Sequence, residues 1–383
     1  MHVMFYVQHL LGIGHVRRSA LLTSALHRHG LEVTVVLGGR DVFGIDFGDV
    51  NIVRLPSAHV TDHTFKPLLD EYNNPVDETW QDRRCGILLD AFKKARPDVL
   101  LFEMYPFGRR QFRFELLPLI EAAKATTPRP LIISSVRDIL VKKAKSGRTL
   151  ESVDLAREHF DHVFVHGDET LVGLDDTLPE AYHIADLIRY TGYIAAPEYG
   201  ATTTAGSDEV LVTAGGGAIG SRLMRAALAA KQNNKYSDKT WRFITGPNLP
   251  EADVRYLHEN APEGVIIETF RPDFPQMLVN CALSISQGGY NTIMDLLRSK
   301  AKAIVAPYDD GEESEQLQRT RLLADKNVLK VIESQYLTPE TLCKAINEID
   351  EFDFGSVDSI NLTGAETTAQ MISELNTSPQ AAS

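Results

Sequence analysis

Cysteine, basic charge and long apolar runs are all scarce in this chain, and each shortage closes off a class of function. Cys85, Cys281 and Cys343 are the only thiols in 383 residues. Their number is odd and their spacing wide, so they offer neither a disulfide framework nor a paired-thiolate zinc site, and they suit a reducing compartment. No apolar run approaches the ~20 residues that a bilayer span requires. Positive charge is short as well, with 39 Lys and Arg against 52 Asp and Glu for a net of −13. Binding a phosphate backbone needs a concentrated basic surface, so no nucleic-acid partner is expected. The deficit is uneven: residues 1–195 carry a net −3 and the remainder −10, so the first half repels an anionic partner less. Residues 1–8 have no Lys or Arg ahead of their apolar stretch and read as a strand rather than a secretion signal. A cytoplasmic protein is expected, with peripheral contact at the inner membrane face left open.

What is present is the composition of a folded protein, 43% hydrophobic and 24% charged. The length exceeds one comfortable core and fits two domains. Short β-branched runs alternate with helical periods, the pattern of βαβ units and parallel sheets. Strands are expected at 3–7, 32–37, 99–103, 131–135 and 162–166, with helices at 16–29, 84–95 and 112–123. Residues 196–207, rich in Gly, Pro, Ala and Thr, read as a linker. The pattern then restarts, with strands at 210–213, 241–245, 265–268, 283–286 and 303–307 and a helix after each. The expected organisation is therefore two Rossmann-like, doubly wound domains, 1–195 and 208–375, followed by a disordered tail at 376–383. Two such domains leave a cleft at the C-terminal ends of their strands, so the loops after strands carry the chemistry.

After the first strand comes Gly12-Ile-Gly-His-Val-Arg-Arg18. Two glycines let backbone N–H groups approach an anion at a helix start. His15 sits where that helix begins, and a neutral imidazole there can take a proton from a hydroxyl. The helix's positive end is expected to lower its pKa and keep the ring neutral. A tight turn with a capping histidine explains the same residues. Arginine occupies the third glycine slot, which disfavours a dinucleotide site.

In the second half, strand 283–286 runs through Gln287-Gly-Gly-Tyr-Asn-Thr292 into a helix. Gly288 and Gly289 permit close backbone approach, and Asn291 and Thr292 can donate to phosphate oxygens at the helix start. Asp295 lies one turn deeper, where a carboxylate could accept from ribose hydroxyls. A capped strand-to-helix joint is the plain alternative. Against it stand further post-strand loops: Thr213-Ala-Gly-Gly-Gly217 with Gly215 and Gly216, Thr245-Gly-Pro-Asn248, Thr269-Phe-Arg271 with Phe270, and 307–316 leading to Gln316 and Arg319. They are expected to converge on one rim.

This order of motifs resembles the glycosyltransferases of the two-Rossmann B fold, in particular family 28. In that family a Gly-x-Gly-His loop opens the acceptor domain. The donor domain carries Gly-Gly, then Gly-Gly-x-x-Thr-x-x-Glu, then Asp-Gln-x-x-Asn. Residues 288–319 match in order and spacing, with Asp295 in place of the glutamate and Arg319 in place of the asparagine. The resemblance implies transfer of a sugar from a nucleoside-diphosphate donor, most simply a UDP-sugar, to a hydroxyl acceptor, with inversion. It implies no cofactor and no essential metal. His15 is then the base. Gly215, Gly216, Gly217, Thr245, Phe270, Arg271, Gln287, Gly288, Gly289, Asn291, Thr292, Asp295, Gln316 and Arg319 hold the donor. Gly14, Arg17, Glu103, Arg109 and Arg137 line the acceptor side, for a partner that is lipid-linked or acidic. Nucleotide-sugar hydrolases and 2-epimerases share this architecture, and a non-catalytic sugar-nucleotide sensor is a third reading.

Weaker signals remain. Arg109, Arg110 and Arg113 could bind a phosphate or rest on an anionic membrane, or simply be solvated. Lys142–Arg148 could be a mobile basic lid. His59-Val-Thr-Asp-His63 lacks the strand or helix context that fixes a metal's geometry.

Overall fold

The computed structural model describes residues 1–10, 14–61, 66–140, 146–198, 204–216, 219–309 and 315–375. The chain forms two compact units: Met1–Ile194 with Asn361–Ser383, and Ala195–Ile360.

The first unit holds strands β1 (His2–Val7), β2 (Glu32–Leu37), β3 (Asn51–Arg54), β4 (Val99–Glu103), β5 (Leu131–Arg137), β6 (His162–His166) and β7 (Ile188–Tyr190). Helices α1 (Gly14–Arg28), α2 (Glu78–Ala95), α3 (Arg113–Lys124) and α4 (Ser146–His159) connect them, with a short α5 (Leu174–Thr177). The sheet is parallel throughout, in the order β3-β2-β1-β4-β5-β6-β7. Its inner strands β1, β2, β4, β5 and β6 are buried on both faces, which is why they read as continuous apolar runs rather than alternating ones. Val3, Phe5 and Val7 pack with Leu22, Ala25 and Leu26 of α1. Met4 and Tyr6 point the other way, onto Leu88 and Phe92 of α2 and Leu116 and Ile120 of α3. The outer strands β3 and β7 escaped the sequence reading. Asn51–Arg54 is an edge strand with no fully buried residue, so no apolar run marks it.

Arg84 of α2 ties the strand ends together. It is wholly buried, donates to Glu115 at 2.8 and 3.0 Å, to Gln8 Oε1 at 2.6 Å and to Gly38 O at 2.9 Å, and also bonds Pro56 O. The loops leaving β1, β2 and β3 are thereby held by one guanidinium.

The second unit contains β8 (Val210–Thr213), β9 (Trp241–Ile244), β10 (Val265–Glu268), β11 (Leu283–Ser286), β12 (Ala303–Val305) and β13 (Lys330–Val331). Its helices are α6 (Ser221–Ala230), α7 (Glu251–Asn260), α8 (Phe274–Asn280), α9 (Tyr290–Ser299), α10 (Glu315–Asp325) and α11 (Pro339–Asn347). The strand order, β10-β9-β8-β11-β12-β13, repeats the winding of the first unit.

The last helix, α12 (Gly364–Leu375), corrects the expected boundary at 375. Ala365, Ala369 and Ile372 bury themselves in the core of the first unit beside α1, so the chain returns to that unit after Ile360. The return is anchored by Asn361 N on Asp168 at 2.9 Å and by Tyr193 N on Asn361 O at 2.8 Å. Among the described residues no helix is long and apolar enough to cross a membrane.

Candidate functional site

In each unit the strand order reverses at one place, between β1 and β4 and between β8 and β11. Loops leaving the two strands on either side of such a switch part in opposite directions and leave room for a ligand between them. The candidate residues cluster at these two places.

At the first switch, α1 starts at Gly14 and presents His15, while β4 ends in Glu103. These residues are 88 positions apart in sequence, yet His15 Nδ1 lies 2.6 Å from Glu103 Oε1. An ionised carboxylate only accepts, so Nδ1 carries the proton and Nε2 keeps a lone pair. The His15 side chain retains 24% exposure, whereas Glu103 has none. Arg18 Nη2 donates to the same Oε1 at 2.8 Å, and Arg109 grips Oε2 through Nη2 at 2.5 Å and Nε at 3.1 Å. Burial alone would raise the carboxyl of Glu103, but Arg109, then His15 and Arg18, hold it well below the usual carboxylate range. Burial lowers His15 to about 4 against the pull of Glu103, with Arg109 and Arg18 adding to the fall. Burial and Arg109 likewise bring His9 to about 4. The expected cause, the helix end, gives way to burial and to these two guanidinium groups.

Glu103 is fully buried, and Arg109, with 12% of its side chain exposed, is clamped to it. Arg110 and Arg113, offered for an anion, both pair with Glu151. Arg17 is half-buried on α1, Gly14 is that helix's first residue, and Arg137 ends β5, half-buried. Gly12, most of the 142–148 loop, and Asp62 and His63 lie outside the described residues. His59 is buried and bonds Asn73 at 3.1 Å. Arg18 went unassigned in the sequence, although a signal was there. It stands one turn before Leu22 on the buried stripe of α1, and a buried cation requires a buried anion.

At the second switch the two glycine-rich turns are stitched together. Gln287 N donates to Thr213 O at 3.2 Å and Gln287 Nε2 to Ile219 O at 2.7 Å. Gly215, at φ +61°, folds back so that its N–H meets Thr213 Oγ1 at 3.1 Å. Gly216 O accepts from Asn248 N at 3.2 Å, Gly246 N donates to Thr269 O at 3.0 Å, and Tyr308 N donates to Gln316 Oε1 at 3.0 Å. Hydrogen bonds thus join four post-strand loops, and the fifth adjoins them where Pro307 Cβ would stand 3.3 Å from a Cβ built on Gly288. A Cβ added at Gly216 or Gly289 meets nothing within 4 Å, so open space lies over both. Gly289 precedes α9 without a side-chain cap, and Asn291 and Thr292 fall in that helix's first turn. Gly217 lies outside the described residues.

Several of the donor-side candidates are engaged within their own unit. Gly288 serves packing: a Cβ there would stand 2.9 Å from Thr320 Cγ2 and 3.3 Å from Pro307 Cβ. Gln287 is a brace between turns. Asp295 is 3% exposed, and Arg319, over the Tyr290 ring at 5.1 Å, is 0% exposed. Thr245 is buried with its hydroxyl on Gly246 O at 3.2 Å. Arg271 is held by Asp273 at 2.7 and 2.8 Å and by Glu268 at 3.3 Å, while Phe270 beside it is 43% exposed.

Residues 210–354 match the glycosyltransferase family 28 C-terminal domain. The chain as a whole has the two-Rossmann B fold of glycosyltransferases. It superposes on Acinetobacter baumannii MurG with a TM-score of 0.62 at 15% identity, covering 97% of this chain and 99% of that one. It superposes equally on the spinosyn rhamnosyltransferase SpnG complexed with thymidine diphosphate, at a TM-score of 0.62 and 17% identity over 98% and 100% of the two chains. In sequence it is 30% identical over 137 residues to a Bacillus cereus UDP-N-acetylglucosamine–N-acetylmuramyl-(pentapeptide) pyrophosphoryl-undecaprenol N-acetylglucosamine transferase. That alignment spans 35% of this chain and 37% of the relative, so the chain spans little more than a third of the curated relative's length. The family 28-like character therefore rests on the second unit, and the B fold on both.

Proposed function

We propose that this chain transfers a sugar from a UDP-sugar to a hydroxyl group of a lipid-linked or glycan acceptor. The observation that carries the reading is the His15–Glu103 pair, a neutral imidazole whose Nδ1–H is fixed by a buried carboxylate. Such a ring leaves Nε2 free to take a proton at neutral pH. In the reaction the acceptor oxygen forms a bond to the anomeric carbon, the bond from that carbon to the diphosphate oxygen breaks, and its electron pair leaves with UDP. The acceptor's proton passes to Nε2, and Glu103 stabilises the imidazolium.

The second unit's contribution is the rim. Open space over Gly216 and Gly289, beside the start of α9, suits a diphosphate, whose charge is favoured at a helix N-terminus. Support comes from the family 28 domain over 210–354 and from a similar fold that binds thymidine diphosphate. Inversion at the anomeric carbon and a membrane-linked acceptor are carried by likeness to family 28 alone. No cofactor or metal enters this scheme.

The test is a panel of UDP-, dTDP- and GDP-sugars with and without hydroxyl acceptors. UDP-sugar turnover that needs an acceptor and yields a glycoside is expected. Stoichiometric release of free sugar without acceptor would overturn transfer in favour of hydrolysis.

A further inference from the structure

The base of the proposed transfer has a carboxylate partner that holds two guanidinium groups as well as an imidazole. We infer that Arg109, with Arg18, is a positioning residue for His15: the two cations lock Glu103 in one orientation and offset its charge, so the carboxylate aligns the imidazole without making it a cation. The inference rests on His15 as the base.

Glu103 is fully buried, and all its acceptor capacity is committed. Oε1 is shared by His15 Nδ1 at 2.6 Å and Arg18 Nη2 at 2.8 Å, and Oε2 takes the fork of Arg109. A buried carboxylate paired with histidine alone favours imidazolium, which has no lone pair on Nε2. One carboxylate between two guanidinium groups sums to +1 and does not. Charged and titratable groups face this cluster from four elements. Besides His15 and Arg18 on α1 and Glu103 on β4, His9 after β1 feels Arg109, Glu103 and Asp41. His166 on β6 feels Arg18 and Glu103. His166 is buried, held neutral, and bonded to Ser135 at 2.7 Å and Thr191 at 2.8 Å, so it adds no charge.

The loop that delivers Arg109 is built for the purpose. Met104 and Arg109 both adopt left-handed backbone, at φ 65° and 59°, a conformation disfavoured for a residue that carries a side chain. Gly108 N on Met104 O at 2.6 Å and Phe112 N on Arg109 O at 2.9 Å hold it there. That conformation brings a guanidinium back onto a carboxylate only six residues earlier in the chain.

The experiment uses the full chain with ring-labelled histidine, with His15 assigned through His15→Gln. Imidazole titration by NMR and the acid limb of kcat/KM for UDP-sugar transfer are followed in wild type, Arg109→Gln and Arg109→Lys. In Arg109→Gln the His15 titration rises by about one unit or more and the acid limb follows it. Arg109→Lys keeps the charge but only a single-point contact, so its titration stays near wild type while kcat falls. An unmoved His15 titration in folded Arg109→Gln overturns the inference. Should that variant not fold, a titration in Arg109→Lys that rises like that of a charge-free site overturns it instead. If wild type turns over no UDP-sugar, the functional reading fails and the NMR titration still decides the clamp.

Discussion

A histidine on a glycine-rich turn is ambiguous until its partner is known, and here the partner comes from another strand. Glu103 fixes the orientation and tautomer of His15, as the proposed base requires, and it also explains why Arg18 can be buried. Two substitutions separate these roles. His15→Ala lowers kcat by about 10²–10⁴-fold with little change in Tm, because the partly exposed ring at the helix start contributes proton transfer rather than packing. Glu103→Gln lowers Tm markedly, at a cost of roughly 3–5 kcal/mol, since it leaves the buried Arg18 and the clamped Arg109 without their anion. Steady-state kinetics and thermal unfolding on the two variants check both. At this scale His15 and the turn glycines were legible from spacing. The burial of Glu103, Asp295 and Arg319 and the clamp of Arg109 on Glu103 were not, because spacing does not reveal which way a charge faces or what neutralises it.

At the scale of the element, neighbouring glycines in one turn do different work. Gly288 lies against Thr320 and Pro307, and the 0% exposed Thr320 cannot yield to a new methyl group. Gly288→Ala therefore displaces α10 and lowers stability by ~1–3 kcal/mol, read as a fall in Tm. Gly289→Ala meets nothing within the protein, so Tm holds. The methyl group then stands in the space assigned to the diphosphate, and UDP affinity measured by calorimetry falls roughly tenfold. Equal UDP affinity in Gly289→Ala and wild type would remove the donor from this turn. The strand–turn–helix joint itself was readable from Leu283 to Ser299, since a buried parallel strand and an amphipathic helix have different periods. Edge strand β3 and the two-residue β13 carry no such period and emerged only with the sheet.

For the whole molecule, the neutral histidines make stability depend on acid. His9 and His15 titrate near 4 in the folded chain and near 6.5 when unfolded, so between these values the unfolded state binds more protons. Stability is then present above about pH 6.5 and is lost as pH falls towards 4. Between pH 7 and 5 the loss is at most ~2 kcal/mol for each ring, visible as a lower denaturant midpoint. An unchanged midpoint at pH 5 would count against both burials. At this scale the sequence by itself determined two parallel α/β units and the glycine-rich turns that follow their strands, because buried strands, helical periods and glycine turns are local patterns. Only the tertiary structure decided that α12 returns to the first unit, that Arg84 binds three strand ends, and that His15 meets Glu103. Each of these depends on strand order, which sets residues far apart in the chain side by side and is written in no single stretch of it.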